Sequence, residues 1–137
     1  MSDDTIREIL TSTRRIALVG ASNKPARASY GVMDYLLRQG FDVTPVNPGL
    51  AGQEILGRTV VATLADAAPL DMVDLFRNAA EVGPPVEEAI RLGAKTIWMQ
   101  LGVVNEDAAE RARTAGLRVV MDHCPAIEIP RLGLEKR

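Results

Sequence analysis

Three groups of residues in this 137-residue chain have the types and spacing to do chemistry. The first is Gly20-Ala21-Ser22-Asn23-Lys24-Pro25-Ala26-Arg27-Ala28-Ser29-Tyr30-Gly31. A glycine at its start permits a tight turn and close approach of backbone to a ligand. Ser22, Asn23 and Ser29 add hydroxyl and amide groups, and Lys24 and Arg27 add positive charge. A helix beginning within the stretch would aim free amides and the positive end of its dipole at the same place. Together these suit an anionic, phosphate-bearing ligand. The plainer alternative is a strand-to-helix turn that uses glycine for its backbone angle. Tyr30 is divided between packing and a polar ligand contact.

The second group is Asp74, alone inside the apolar run Met72-Val73-Asp74-Leu75-Phe76. Buried charge needs partners, so a structural carboxylate held by backbone amides is expected, with a catalytic base as the alternative. The third is His123-Cys124. Neighbours on an extended segment point apart, so adjacency does not make them a nucleophile and its base. A lone intracellular cysteine commonly packs as a small hydrophobe, and Cys124 is expected to be dispensable for binding. With one cysteine and one histidine, the chain cannot build an internal disulfide, a thiolate zinc cluster or a His-rich metal site. Trp98 reads as core.

The elements that must position these groups follow from the apolar pattern. Arg15-Ile16-Ala17-Leu18-Val19-Gly20 is a nearly continuous apolar run of strand length, as suits a parallel strand buried on both faces. Further strands are predicted at 41–46, 72–76, 96–101 and 117–121. Helices are predicted from Ser2 or Asp3 through Leu10, over 29–38, at 64–67, from Pro84-Pro85 to Gly93, and from an Asn105 cap to Gly116. Pro45 makes the second strand irregular near its end, residues 49–60 read as loop, and the tail from Asp122 reads as turns. Strands alternating with helices imply right-handed crossovers. The predicted fold is α/β: a Rossmann-like, doubly wound, five-stranded parallel sheet with helices on both faces, in a single domain spanning 1–137. Its ligand belongs at the carboxyl ends of the strands, near the topological switch point.

Composition bounds the rest. A hydrophobic fraction of 47% and a charged fraction of 25% are those of a globular domain. The net charge of −2 gives no general nucleic-acid surface. No apolar run reaches the ~20 residues of a membrane span. The acidic start Met1-Ser2-Asp3-Asp4 lacks the basic n-region of a secretory signal, so a cytoplasmic location is expected.

The first loop is neither G-x-G-x-x-G nor a P-loop. Ser22 stands at the second glycine position, and the loop is several residues longer. A nicotinamide dinucleotide also wants an acid after the second strand to hold its ribose hydroxyls; Asn47-Pro48 stands there, and Asp42 lies at the strand's other end. Both features weaken an NAD reading.

Val19-Gly20-Ala21-Ser22, Ser29-Tyr30-Gly31, Val46-Asn47-Pro48, Asp74-Leu75-Phe76-Arg77, Trp98-Met99-Gln100-Leu101-Gly102 and Met121-Asp122 with Cys124-Pro125 occur in that order along the chain. In this combination the sequence resembles the small stand-alone CoA-binding proteins, which share their fold with the first domain of the succinyl-CoA synthetase alpha subunit. His123 and Ala126 depart from that family, where a basic residue and a lysine are common. The resemblance implies coenzyme A or an acyl-CoA as ligand. Gly20, Ala21, Ser22, Asn23, Lys24, Arg27, Ser29 and Tyr30 would serve its phosphates. Val46, Asn47 and Pro48 would form an adenine slot, and Phe76, Arg77, Gln100 and Gly102 would line the path of the pantetheine arm. A Cys124 thiol that meets that arm and forms a mixed disulfide is the alternative to a purely packed cysteine.

Two classes of function follow. The preferred one is a non-catalytic CoA carrier, sensor or regulatory module, with a small-molecule CoA ligand, no nucleic acid or membrane, and an unidentified protein partner left open. The alternative is an enzyme component: an acyl-CoA ligase subunit lacking its catalytic domain, or an NAD(P)-dependent oxidoreductase. The only histidine belongs to the tail, so ligase machinery would have to come from elsewhere. No residue is assigned a catalytic or metal-binding role.

Overall fold

Apolar runs flanked by glycine and polar turns produce the expected alternation. In the computed structural model, which describes residues 1–136, α1 (Asp3–Ser12) leads into β1 (Arg15–Val19), followed by α2 (Ala28–Arg38) and β2 (Asp42–Val46). A short hairpin, β3 (Glu54–Ile55) with β4 (Arg58–Thr59), precedes α3 (Leu64–Ala67). Then come β5 (Met72–Leu75), α4 (Gly83–Arg91), β6 (Thr96–Met99), α5 (Glu106–Thr114), β7 (Arg118–Val120) and α6 (Pro125–Arg131). The five long strands form one parallel sheet in the order β2-β1-β5-β6-β7.

Helix starts follow side-chain caps. Ser2, Thr63 and Asn105 each accept a hydrogen bond from the third amide beyond them, on Thr5, Asp66 and Ala108. Each face of the sheet then buries its own core. α1, α2 and α6 cover one face through Ile6, Ile9, Met33, Leu36 and Ile129, against Ile16, Leu18, Met72 and Trp98. α3, α4 and α5 cover the other through Leu64, Val86, Ala89, Ala108 and Ala112, against Ala17, Val73, Ile97 and Val119. Period-two alternation along each strand divides the residues between the two cores.

Four expectations are revised. The tail folds into α6 rather than turns. Pro125 is tolerated at its first position, where an amide would have no partner. The helix is held from outside: Arg131 pairs with Asp3 at 2.8 Å and with Glu128 at 2.6 Å, and Arg7 donates to the Leu132 carbonyl at 2.9 Å.

Residues 49–60 are also structured. The two-residue hairpin turn Leu56-Gly57 has φ of 51° and 81°. A turn with both central residues at positive φ usually announces itself with Asn-Gly or Asp-Gly, which is why the sequence reads as loop.

Beyond the hairpin, Val61 bridges Val46 in parallel; its amide donates to the Pro45 carbonyl and its carbonyl accepts from Asn47. Counting this rudimentary strand, the order becomes 3-2-1-4-5-6, that of the dinucleotide-binding sheets. It also explains Pro45. Asp42 donates its amide inward to Arg14 and Asn47 outward to Val61, so the odd-numbered residues of β2 face away from β1, and Pro45 lacks an amide only on the outer edge.

The fourth revision concerns Asp74. It is fully buried, paired in register between Leu18 and Trp98, and neither carboxyl oxygen has a partner among the described residues. The backbone amides expected to hold it are committed to the sheet. Burial alone pushes its pKa well above the ordinary 3.8.

A raised folded-state pKa stabilises fully below the unfolded value and loses that contribution as pH rises towards the folded one. The parent protein is therefore expected to lose stability from about pH 4 upward through this group. Asp74→Asn, which cannot ionise, should flatten that part of the profile. Urea unfolding at pH 4.5 and pH 8 checks it; an unchanged pH dependence in Asp74→Asn would mean that the carboxyl is not the titrating group.

Candidate functional site

At the carboxyl ends of β1 and β5 the chain diverges to opposite sides of the sheet, which leaves a crevice there. The floor is set by Gly20. Its φ is +89°, and a Cβ built on it would stand 2.2 Å from the Phe76 carbonyl oxygen. The Phe76 amide in turn donates to Val19 at 2.9 Å. The loop after β5 can therefore cross close over the end of β1 only because residue 20 lacks a side chain.

Three connected hollows radiate from this point, and Gly20 and Arg77 line all of them. A groove of about 390 Å³ runs along Ala21, Ser22, Asn23, Lys24, Arg27, Asn47 and Phe76. A slot of about 220 Å³ lies between Val46-Asn47-Pro48, Thr63-Leu64 and Pro84-Pro85. A wider cleft of about 510 Å³ passes Arg27, Ala28, Ser29, Phe76 and Gln100 to Cys124. A separate hollow of about 160 Å³ beside Leu10, Phe41, Ile129 and Leu134 lies at the strands' amino ends, away from the switch point where open α/β sheets bind ligands.

The loop is held by backbone and by Asn47. The amides of Gly20 and Ala21 both point at the Val46 carbonyl. Asn47 donates through Nδ2 to the Ala21 carbonyl and accepts from the Gly49 amide through Oδ1, both at 2.8 Å. Its side chain is thus spent on joining the loops after β1 and β2. Ser22 accepts from the Lys24 amide at 3.1 Å, which turns the chain. α2 begins at Ala28, which lines the wide cleft, with no side-chain cap on its first amides.

Charge is distributed unevenly. Most other arginines pair with carboxylates, as in Arg15–Asp42, Arg58–Asp42, Arg111–Glu87 and Arg118–Glu8. Lys24, Arg27 and Arg77 are exposed, line these hollows and join no ion pair among the described residues. Three such cations beside a helix N-terminus have the charge that suits a multiply charged anion, with the Glu81 carboxylate also lining the wide cleft.

Of the residues singled out from the sequence, Gly20, Ala21, Ser22, Asn23, Lys24, Arg27, Ser29, Val46, Asn47, Pro48, Phe76, Arg77 and Gln100 line these hollows. Two do not. Tyr30 packs half-buried against the α2-side core. Gly102 turns the chain at φ +79° and donates its amide to Asp122 at 2.7 Å, which braces the segment after β7. Sequence reasoning missed Thr63, Leu64, Pro84 and Pro85 as a slot wall; Cys124, read there as packed with a thiol beside the arm as the alternative, is buried and also forms a wall of the cleft. The first four were legible as helix starts; that two helix starts share one slot is a consequence of packing. His123 is engaged elsewhere: Nδ1 lies 2.7 Å from the Met121 carbonyl, and its own carbonyl accepts from Trp98 Nε1 at 2.8 Å.

A family model described as a CoA binding domain matches residues 14–130. The uncharacterized protein YneT of Bacillus subtilis (strain 168) is 37% identical over 120 residues, 87% of each chain. A hypothetical protein from Pyrococcus horikoshii OT3 superposes with a TM-score of 0.90 at 44% identity, over 96% of this chain and 92% of that one. A dinucleotide-forming acetyl-coenzyme A synthetase 1 from Ca. Korarchaeum cryptofilum has a TM-score of 0.69 at 23% identity; 82% of this chain matches 26% of that one, a likeness of fold alone.

Gly20→Ala tests the floor of the crevice. A positive φ on a residue with a Cβ costs about 1–3 kcal/mol, and the contact with the Phe76 carbonyl adds to it. A loss of at least about 2 kcal/mol in urea unfolding is expected, against a neutral to stabilising Gly31→Ala inside α2, where a Cβ meets nothing within 4 Å.

Proposed function

The chain belongs to the CoA binding domain family, and on that premise we propose that it binds coenzyme A or an acyl-CoA across the three hollows at the sheet's carboxyl edge. In this reading the phosphates meet Lys24, Arg27 and Arg77, together with the open amides at the start of α2. The adenine enters the slot by Val46-Asn47-Pro48, whose opposite wall is Thr63-Leu64 and Pro84-Pro85. The pantetheine arm follows the wide cleft past Phe76 toward Gln100. The protein acts as a cytoplasmic carrier, sensor or regulatory module that holds the ligand without transforming it.

The observation that carries the reading is the set of three cations without carboxylate partners converging on Gly20. CoA has a pyrophosphate and a ribose phosphate, so it presents more negative charge than NAD and needs more cations. The absence of an acid after β2, where Asn47 is already committed to Ala21 and Gly49, favours CoA over a nicotinamide dinucleotide for a second reason.

Calorimetry is expected to give measurable CoA binding and much weaker NAD binding; equal or tighter binding of NAD would remove the reading. CoA affinity should also fall with added salt, because exposed charges are screened within about 8 Å at physiological ionic strength.

The double variant Lys24→Ala/Arg27→Ala is expected to weaken CoA binding while leaving the melting temperature close to the parent's. Each lost charge-assisted contact should cost about 1.5–3 kcal/mol of affinity, whereas exposed charges contribute within about 0.5 kcal/mol to folding. Parallel titrations with dephospho-CoA show whether either cation reads the ribose phosphate. Parent-like affinity in the double variant would show that both charges are merely solvated.

A further inference from the structure

We propose that Cys124 is a covalent capture site that forms a mixed disulfide with the thiol end of the CoA held in the wide cleft. This rests on the CoA reading and adds a redox-dependent step to it.

The thiol is buried yet not sealed. Cys124 is 6% exposed and forms a wall of the same cleft that Gly20, Arg27, Ser29, Arg77 and Gln100 line. Its position is fixed on both sides. His123, immediately before it, is held by Trp98 Nε1, and the Cys124 carbonyl accepts from the amides of Ile127 and Glu128 at 2.9 Å. Asp122 is tied to the Gly102 amide at 2.7 Å. A thiol mounted on such a segment stays where the cleft can reach it.

Gln100 supplies an independent sign that the cleft expects a polar occupant. It is 94% buried and lines the cleft, and its Oε1 has no hydrogen-bond partner among the described residues. A buried acceptor left alone is costly and rare. In the present rotamer this oxygen is enclosed; turning the Gln100 amide would bring it to the cleft, where the amide N–H of a pantetheine arm is a donor of the required kind. The walls of the cleft then carry cations at Arg27 and Arg77, an orphan amide acceptor at Gln100 and a thiol at Cys124. Read from its phosphates outward, CoA presents anions, then two amides, then a thiol. The ligand class this order selects is CoA as thiol or disulfide, because an acyl group would occupy the sulfur that meets Cys124.

The step balances with the disulfide of CoA as oxidant. The Cys124 thiol loses its proton to solvent, and Sγ attacks one sulfur of the CoA disulfide. An Sγ–S bond forms, the S–S bond of the disulfide breaks, and one CoA leaves as thiolate and takes up a proton. A reducing thiol reverses the exchange by the same path.

The test is intact-protein mass spectrometry of the reduced parent after incubation with CoA disulfide, with cystamine as a disulfide that lacks the nucleotide. Calorimetry of the parent with CoA under reducing conditions runs beside it. One CoA per chain is expected, formed at least about ten times faster than the cystamine adduct, because a bound disulfide is presented to Cys124 at high effective concentration. Desulfo-CoA should slow it, dithiothreitol reverse it and Cys124→Ala abolish it. Lys24→Ala/Arg27→Ala, which keeps the thiol, should slow the CoA adduct and leave the cystamine one unchanged. Equal rates with cystamine, or no adduct in a protein that binds CoA by calorimetry, would overturn the capture site and leave the CoA reading standing. No heat of CoA binding would remove both.

Discussion

The close crossing of two backbones at residue 20 is the constraint on which the rest of this structure depends. The Phe76 carbonyl occupies the space where a side chain on Gly20 would stand. β1 and β5 are neighbours in the sheet but not in the chain, and they send their following segments to opposite faces. The chain emerging from β5 must pass over the end of β1 at backbone distance. This pins Arg77 beside the first loop and lets one guanidinium border all three hollows. A larger residue at position 20 would lift the Phe76–Arg77 segment and separate the cations.

Charge management follows the same geometry. Elsewhere on the surface, carboxylates neutralise arginines, and such exposed pairs contribute little to stability. Among the described residues they leave Lys24, Arg27 and Arg77 unpaired around the loop between β1 and α2. At Asp74 the fold takes the other course. For an acid enclosed between Leu18 and Trp98 with no hydrogen-bond partner among the described residues, burial disfavours the charged form. The two treatments divide the molecule into a core that suppresses charge and an edge that displays it.

Stability and site are joined through the last helix. α6 depends on Arg131 reaching Asp3 and Glu128 and on Arg7 reaching the Leu132 carbonyl. It in turn holds Cys124 at the cleft wall. The first and last helices of the chain therefore fix a residue at the opposite end of the sheet from the chain's first turn, and loosening α1 would be felt in the cleft.

The sequence by itself determined the order of the principal strands and helices, the parallel sheet and the loop that carries the cations. Those features depend on local pattern: continuous apolar runs at 15–20, 72–76 and 96–101, caps at Ser2 and Asn105, and glycine and charge within twelve residues of one another. What only the tertiary structure decided rests on contacts between distant residues. Leu56 at positive φ is tolerated because the hairpin returns Val61 to β2. α6 forms despite two prolines because α1 clasps it. Asp74 is orphaned because its neighbours' amides are already spent on the sheet, and Tyr30 is turned inward by the packing of α2. Cys124 and Gln100 reach one cleft from the ends of different strands. No periodicity along the chain encodes that meeting, because it depends on which strands lie side by side.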